Sequence, residues 1–445
     1  MENTKTNQPP TAKGIVCQHC GKTIQATDKA MIIALDNGYN ICSDCLTAIH
    51  LQTRQAVTKH AEVVSMKKGG QKKLRPSDIK RALDRYIVGQ DEAKKAIANA
   101  VYNHYKMIDM KERGITNVEM EKSNICLVGP TGCGKTALLK ALSKFLQVPF
   151  AIGDCTSLTS AGFVGSDVET VIRLLIENAP GSTIEQKIEA AEHGIVYLDE
   201  VDKLSRKGEN PSITTDPGAE GVQQALLKII EGSEVEIPPK GQRKHPQQNC
   251  LKVNTENILF IVGGAFEGIE KIIAKRQHKG KGSIGFGSVG NSVDKHKDFN
   301  DLILDVKVED LHRFGMMPEF LGRLPIICAM KQLDEKALVN ILTEPKNALV
   351  KQYQELLARD NVQLEISKEA LTKIAHMAIE RGTGARGLRS IMEDTLGDTM
   401  FYLPDHPNIT NVLVDVADDD ELIITATDSE LNEIDILENE EERSA

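Results

Sequence analysis

The chain has 445 residues, a net charge of −10 and a sequence pI of about 5.7. Its length suggests roughly three domains and room for a large core, and the acid excess disfavours wholesale binding of nucleic acid, though not a local basic patch. No apolar run reaches the roughly 20 residues of a membrane span, and Met1 to Lys13 lacks the apolar stretch of a secretory leader, so a cytoplasmic chain without a membrane partner is expected.

Residues 1–13 are polar and read as disordered. Residues 14–50 form a compact module with Cys17-x-x-Cys20 and Cys42-x-x-Cys45. Between the pairs, Met31-Ile32-Ile33 and Tyr39-Asn40-Ile41 flank the turn signal Asp36-Asn37-Gly38, the pattern of a short hairpin. Two thiol pairs separated by 21 residues suit tetrahedral Zn²⁺ in a closed structural site, and a module this small needs the metal to fold. The remaining cysteines, Cys126, Cys133, Cys155, Cys250 and Cys328, are dispersed, which predicts reduced thiols and no disulfide framework. Residues 51–75, basic around Lys67-Lys68-Gly69-Gly70, read as a linker.

Globular sequence resumes at Pro76. Ser77 is the expected N-cap of a helix in which Ile79, Leu83, Tyr86 and Ile87 share a face, and a second helix is predicted from Asp91 to Lys111. Strands are then predicted at Ile125–Val128, Phe150–Ile152, Gly194–Leu198 and Ile258–Val262. Helices are predicted at Lys135–Leu146, at Ser166–Asn178 with a Ser166/Glu169 capping box, and at Gly221–Glu231. Such alternation predicts an α/β large domain over 76–325, a mainly parallel sheet flanked by helices. The Gly- and Lys-rich residues 275–295 read as a surface loop. A smaller α+β domain is expected over 326–427, with helices at Asp334–Lys351, Lys368–Arg381 and Gly387–Leu403 and strands at Val412–Val416 and Glu421–Ala426. The acidic tail 428–445 reads as disordered.

The chemistry concentrates at Gly129-Pro130-Thr131-Gly132-Cys133-Gly134-Lys135-Thr136, which fits G-x-x-x-x-G-K-[ST] between a strand and a helix. Glycines let the backbone wrap a phosphate chain, inward amides and the helix N-terminus supply positive potential, Lys135 reaches the β- and γ-phosphates, and the Thr136 hydroxyl binds Mg²⁺. Cys133 reads as a small filler in this loop. Some sixty residues on, Ile195-Val196-Tyr197-Leu198 ends in Asp199-Glu200. Asp199 is expected to hold Mg²⁺ and Glu200 to polarise the attacking water. Together the two motifs point to hydrolysis of a nucleoside triphosphate and not to nucleotide binding alone. No His-Glu-x-x-His or supported nucleophile triad indicates a protease site in the chain itself.

With these motifs in this order, the chain resembles the ClpX family of AAA+ unfoldases over nearly its whole length. The resemblance implies a ring homohexamer that uses ATP to unfold protein substrates and pass them to a ClpP-type peptidase ring, with the zinc module handling adaptors. Ile87 and Val88 then pack against adenine, and Gly129 to Ala137 surround the phosphates. Gly162-Phe163-Val164-Gly165 is similar to the pore loop that grips substrate, with Phe163 where the family usually has Tyr. Arg243-Lys244-His245 resembles the basic loop at the pore mouth, Asn210 to Thr214 takes the place of a second pore loop, and Ile284-Gly285-Phe286 resembles the tripeptide that docks on the peptidase ring. Arg323 resembles an arginine finger offered to the neighbouring subunit, and Arg386 a second sensor acting in cis. Thr255 and Asn257 are the candidates for the first sensor. Two other classes stay open: a remodelling chaperone independent of a peptidase, and a nucleic-acid-remodelling ATPase, against which the acidic balance counts.

Overall fold

The computed structural model describes residues 15–20, 22–24, 32–34, 40–43, 45–46, 74–115, 118, 120–159, 166–205, 217–237, 250–279 and 299–434. The turn at 36–38, the loops at 162–165, 210–214 and 243–245, the tripeptide 284–286, most of the 51–75 segment and the residues beyond 434 lie outside them. The chain divides into two units, Met1–Lys73 and Leu74–Ala445. Among the described residues no helix is long and apolar enough to cross a membrane.

In the first unit, Ile15–Val16 pairs antiparallel with Thr23–Ile24, and Ile32–Ala34 pairs antiparallel with Asn40–Cys42. The second pairing is the expected hairpin, and among the described residues of this unit Cys17, Ile41 and Cys42 form a buried cluster.

The larger unit is built on a five-stranded parallel sheet. Its spatial order is Ile326–Ala329, Ile125–Val128, Leu259–Gly264, Ile195–Asp199, Phe150–Asp154. The central strands are unbroken apolar runs because helices cover both faces. Alternate side chains divide cleanly between two cores. Cys126, Val128, Val196, Leu198, Phe260 and Val262 face the helices Glu169–Glu177, Pro217–Glu231 and Ile269–Lys279. Ile125, Leu127, Ile195, Tyr197, Leu259 and Ile261 face Pro76–Asp84, Asp91–Glu112 and Lys135–Leu146. Strand order reverses next to Ile125–Val128, and in such sheets ligands bind beyond the carboxyl ends of the strands at the reversal.

Several local expectations are corrected. The first helix is capped by Arg75 and not Ser77: Pro76 occupies its first position, and the Arg75 N–H donates to Asp78 Oδ2 at 3.1 Å. The helix expected from Ser166 begins at Glu169 with Val168, not Ser166, at its N-cap position and no side-chain cap, and Ser166–Asp167 pairs instead with Leu158–Thr159. The span Asp334–Lys351 is two helices, Glu335–Thr343 and Leu349–Leu357, because Pro345 cannot donate to a continuing helix. Ile326–Ala329, placed beyond the domain boundary in the sequence reading, is the edge strand of the large sheet. The tail starts later than residue 428, since Glu433–Ile434 returns through a turn held by Asp428 to pair with Leu422–Asp428.

The remaining part packs Glu335–Thr343, Leu349–Leu357, Lys368–Glu380 and Gly387–Tyr402 against a four-stranded sheet: Gln363–Ile366, Ile409–Val416, Leu422–Asp428 and Glu433–Ile434. It has its own core around Leu342, Ile374, Leu388, Ile391 and Val412. Gln363–Ile366 escaped the sequence reading because it is a four-residue strand with alternate residues exposed.

Candidate active site

The phosphate loop leaves the end of Ile125–Val128 and enters the helix Lys135–Leu146. Gly132 (φ +77°) and Gly134 (φ +98°) adopt left-handed backbone that side chains disfavour. At Gly132 space forbids a side chain too, since a Cβ would lie 2.5 Å from the Thr383 carbonyl oxygen and 3.2 Å from Gly384 Cα. The Gly129 N–H donates to the Gly264 carbonyl at 3.2 Å, which ties the loop to the end of the neighbouring strand. Lys135 Nζ donates to the carbonyls of Gly129 (2.7 Å) and Pro130 (3.0 Å), so the ammonium lies within the mouth of the loop. Cys133 is buried, and burial pushes its thiol up, as an inert filler requires. Pro130 is half-buried, while Thr131 and Ala137 are exposed at the loop and the first helical turn.

At the end of the loop, Thr136 Oγ1 donates to Asp199 Oδ2 at 3.1 Å. The other oxygen, Asp199 Oδ1, accepts from the Tyr197 hydroxyl (2.9 Å) and the Glu200 N–H (2.9 Å). A hydroxyl and a carboxylate converging at a helix N-terminus are hard oxygen donors, the set that Mg²⁺ takes together with phosphate oxygens. Glu200 follows at the strand tip with φ +57° and is exposed. A non-glycine residue held in that region is strained, as side chains at reacting centres often are.

Tyr197 is the residue that the sequence reading missed. Its ring is fully buried, and its hydroxyl sits where a Cβ on Gly263 would have to be. Burial, with the Asp199 charge adding to it, pushes the phenol far above its ordinary range. It therefore remains a proton donor to Asp199 at any working pH. The available signal was a lone hydroxyl-bearing residue in an otherwise aliphatic strand.

The loop also touches the smaller domain. Ala385 N–H donates to the Gly132 carbonyl at 3.3 Å, so the turn Gly384–Arg386, with Arg386 exposed at its end, lies directly against the phosphate loop. Ile87 and Val88 are half-buried in the turn before Asp91–Glu112, where buried Lys94 donates to the Ile87 carbonyl (2.7 Å) and pairs with Asp84 (2.7 Å).

Arg323 is not part of this cluster. It bonds Glu231 Oε1 through Nε (3.1 Å) and Nη2 (3.0 Å), beside a cavity of about 560 Å³ lined also by Lys111, Lys122 and Glu256. Its carbonyl accepts from Asn124 at the start of the strand Ile125–Val128. The phosphate loop begins at the other end, roughly 13 Å away at 3.3 Å per residue. Thr255 and Asn257 share that wrong end. Thr255 is fully buried, donating to Ile229 (2.8 Å), and the Asn257 carbonyl meets His104, so neither is placed to sense the nucleotide. The proper end of that strand carries Gly263-Gly264-Ala265, without a polar side chain.

In the first unit the sulfurs of Cys17, Cys20, Cys42 and Cys45 lie within 4.8 Å of one another. Backbone N–H groups, that of Cys20 first, pull Cys17 down to about 6, while the neighbouring thiols, Cys42 first, push Cys45 up to about 12. Four crowded sulfurs cannot all ionise unaided, and a divalent cation bound by thiolates resolves that conflict. The donor set fits Zn²⁺.

A phosphate loop, a strand-end Asp-Glu and a second domain resting on the loop define a nucleoside-triphosphate hydrolase of the AAA class. Residues 120–327 match the AAA domain family (Cdc48 subfamily), and the protein is an ATP-hydrolysing enzyme. Residues 333–410 match the C-terminal, D2-small domain of ClpB. The two matches side by side mark an AAA+ ATPase of the Clp/Hsp100 type, consistent with protein remodelling.

Proposed function

We propose that this protein is a ClpX-like unfoldase: a ring homohexamer in the cytoplasm that unfolds tagged proteins with ATP and delivers them to a ClpP-type peptidase. The observation that carries the mechanical part is the seating of the turn Thr383–Ala385 on Gly132. Any change at the phosphates is felt directly by the smaller domain. Lys135 and the loop amides would bind the phosphates, and Thr136 and Asp199 would hold Mg²⁺, which supplies charge neutralisation between phosphate oxygens. Glu200 takes a proton from the attacking water, and Arg386 reaches the same nucleotide from the turn. Arg323, at the far end of the sheet from its own phosphate loop, serves the neighbouring protomer. That separation supports a ring, because Arg323, paired with Glu231 in its own chain, lies too far from its own phosphate loop to act on that nucleotide.

The peptidase partner and the substrate-gripping roles of Phe163 and Val164, of Arg243 to His245 and of Ile284 to Phe286 rest on resemblance and are part of the proposal. The test is loss of fluorescence from a tagged, stably folded fluorescent protein with ATP, with and without a ClpP-type peptidase. Loss only with both supports the coupled unfoldase. Loss without the peptidase replaces it with a stand-alone remodeller, and no loss despite ATP turnover overturns the choice of substrate.

A further inference from the structure

Beyond Ile326–Ala329 the chain runs through Met330 to Gln332 before Asp334 caps the first helix of the smaller domain. Met330 is still held by the sheet, its N–H donating to the Val128 carbonyl at 2.8 Å. The next two residues are held differently. Lys331 N–H donates to Gln90 Oε1 (2.9 Å), and Gln90 Nε2 donates back to the Lys331 carbonyl (2.8 Å). Gln332 N–H donates to Asn300 Oδ1 (2.7 Å), and Asn300 Nδ2 returns to the Gln332 carbonyl (3.4 Å). Two successive peptide units of the interdomain linker are thus each clasped by a side-chain amide, which presents a donor and an acceptor as a neighbouring strand would. Such clasps open without unravelling any secondary structure.

Gln90 is the more telling of the two. It is buried and sits at φ +59° directly after Gly89 at φ +63°, a conformation costly for a glutamine. The cost is consistent with its amide having to be aimed at a fixed point. Its nitrogen also reaches the carbonyl of Cys133, inside the phosphate loop, at 3.4 Å. One buried amide therefore joins the phosphate loop, the turn carrying Ile87 and Val88, and the linker to the smaller domain.

We infer that Gln90 is a positioning residue that makes the interdomain linker respond to nucleotide in the phosphate loop. Movement of the Cys133 carbonyl or of the 87–90 turn alters the hold on Lys331, and with it the angle at which the smaller domain leaves the sheet. This inference rests on ATP hydrolysis at the phosphate loop and not on the unfoldase reading.

The test uses the full chain and the variants Gln90→Asn and Gln90→Glu. Asparagine tolerates the left-handed backbone but is one methylene short of Lys331. Glutamate keeps the acceptor for the Lys331 N–H and sets oxygen against the Lys331 and Cys133 carbonyls. Michaelis parameters for Mg-ATP hydrolysis are measured together with amide exchange of residues 330–334, with and without a non-hydrolysable ATP analogue. Expected in both variants are a fall in kcat of about tenfold with KM changed less than twofold, and exchange of the linker that no longer responds to the analogue as it does in the wild type. A wild-type kcat overturns the inference. So does a linker that still responds to nucleotide while kcat and thermal stability fall together, since that is the signature of a purely structural glutamine. The wild type's turnover in the same assay separates failure of this inference from failure of the ATPase site.

Discussion

Tyr197→Phe removes one oxygen and leaves a fully buried ring in place. That oxygen donates to Asp199 Oδ1 at 2.9 Å, and a hydrogen bond to a charged group contributes about 1.5–3 kcal/mol. Asp199 keeps two other donors, Thr136 Oγ1 at 3.1 Å and the Glu200 N–H at 2.9 Å, so the lower figure applies. If the bond serves to aim the carboxylate at the metal, about 1.4 kcal/mol becomes a tenfold loss of kcat. The assay is steady-state ATP hydrolysis by the full chain across a Mg²⁺ titration, with binding of an ATP analogue measured separately. Expected are kcat reduced about tenfold, a higher Mg²⁺ concentration at half-saturation, and analogue affinity within twofold of wild type. Burial holds the phenol protonated well beyond its ordinary range, so the ratio of wild type to variant should stay constant on going to alkaline pH. Wild-type kcat and Mg²⁺ dependence would refute the positioning role and leave Tyr197 as filler against Gly263.

Glu200→Gln should bind ATP as the wild type does and lose at least about 100-fold in turnover, the usual contribution of a general base; single-turnover hydrolysis checks it. His104 is buried, and burial is the main reason its pKa falls to about 4 from the usual 6.5. The folded state then takes up its proton later than the unfolded chain, so the His104 contribution is complete above pH 6.5 and is lost as pH falls to about 4. The difference corresponds to roughly 3 kcal/mol; His104→Gln should flatten that part of the stability curve in denaturant titrations at successive pH values. If Zn²⁺ occupies the four-cysteine site, replacing Cys17 by Ser, or chelation, should abolish the metal content and the exchange protection of the paired strands Ile32–Ala34 and Asn40–Cys42. ATP turnover by Leu74–Ala445, a separate compact unit, should change less than twofold.

What the sequence disclosed and what it hid divide on physical lines. The phosphate loop and Asp199-Glu200 were legible because each depends on residue type at fixed spacing beside an apolar strand, and the structure sets Thr136 against Asp199 as that spacing requires. The two-faced core was legible as continuous apolar runs. Tyr197 and Gln90 were hidden because their roles depend on partners far away in the chain: Gly263 makes room for the one, and Lys331 is clasped by the other across 241 positions. Ile326–Ala329 was assigned to the wrong domain because four residues carry no record of which sheet they join.

The misplaced first sensor has a different cause. In a parallel sheet every strand delivers its carboxyl end to the same edge, and Gly129, Asp199 and Gly264 all lie there. Thr255 and Asn257 precede their strand and could not have reached that edge, so strand direction alone already excluded them. The same reasoning applied to Arg323 gives the opposite result. It too precedes its strand, Ile326–Ala329, and so lies at the amino edge of the sheet. A guanidinium at that edge, paired with the half-exposed Glu231, lies away from its own phosphate loop, which is what the proposed role towards a neighbouring copy requires.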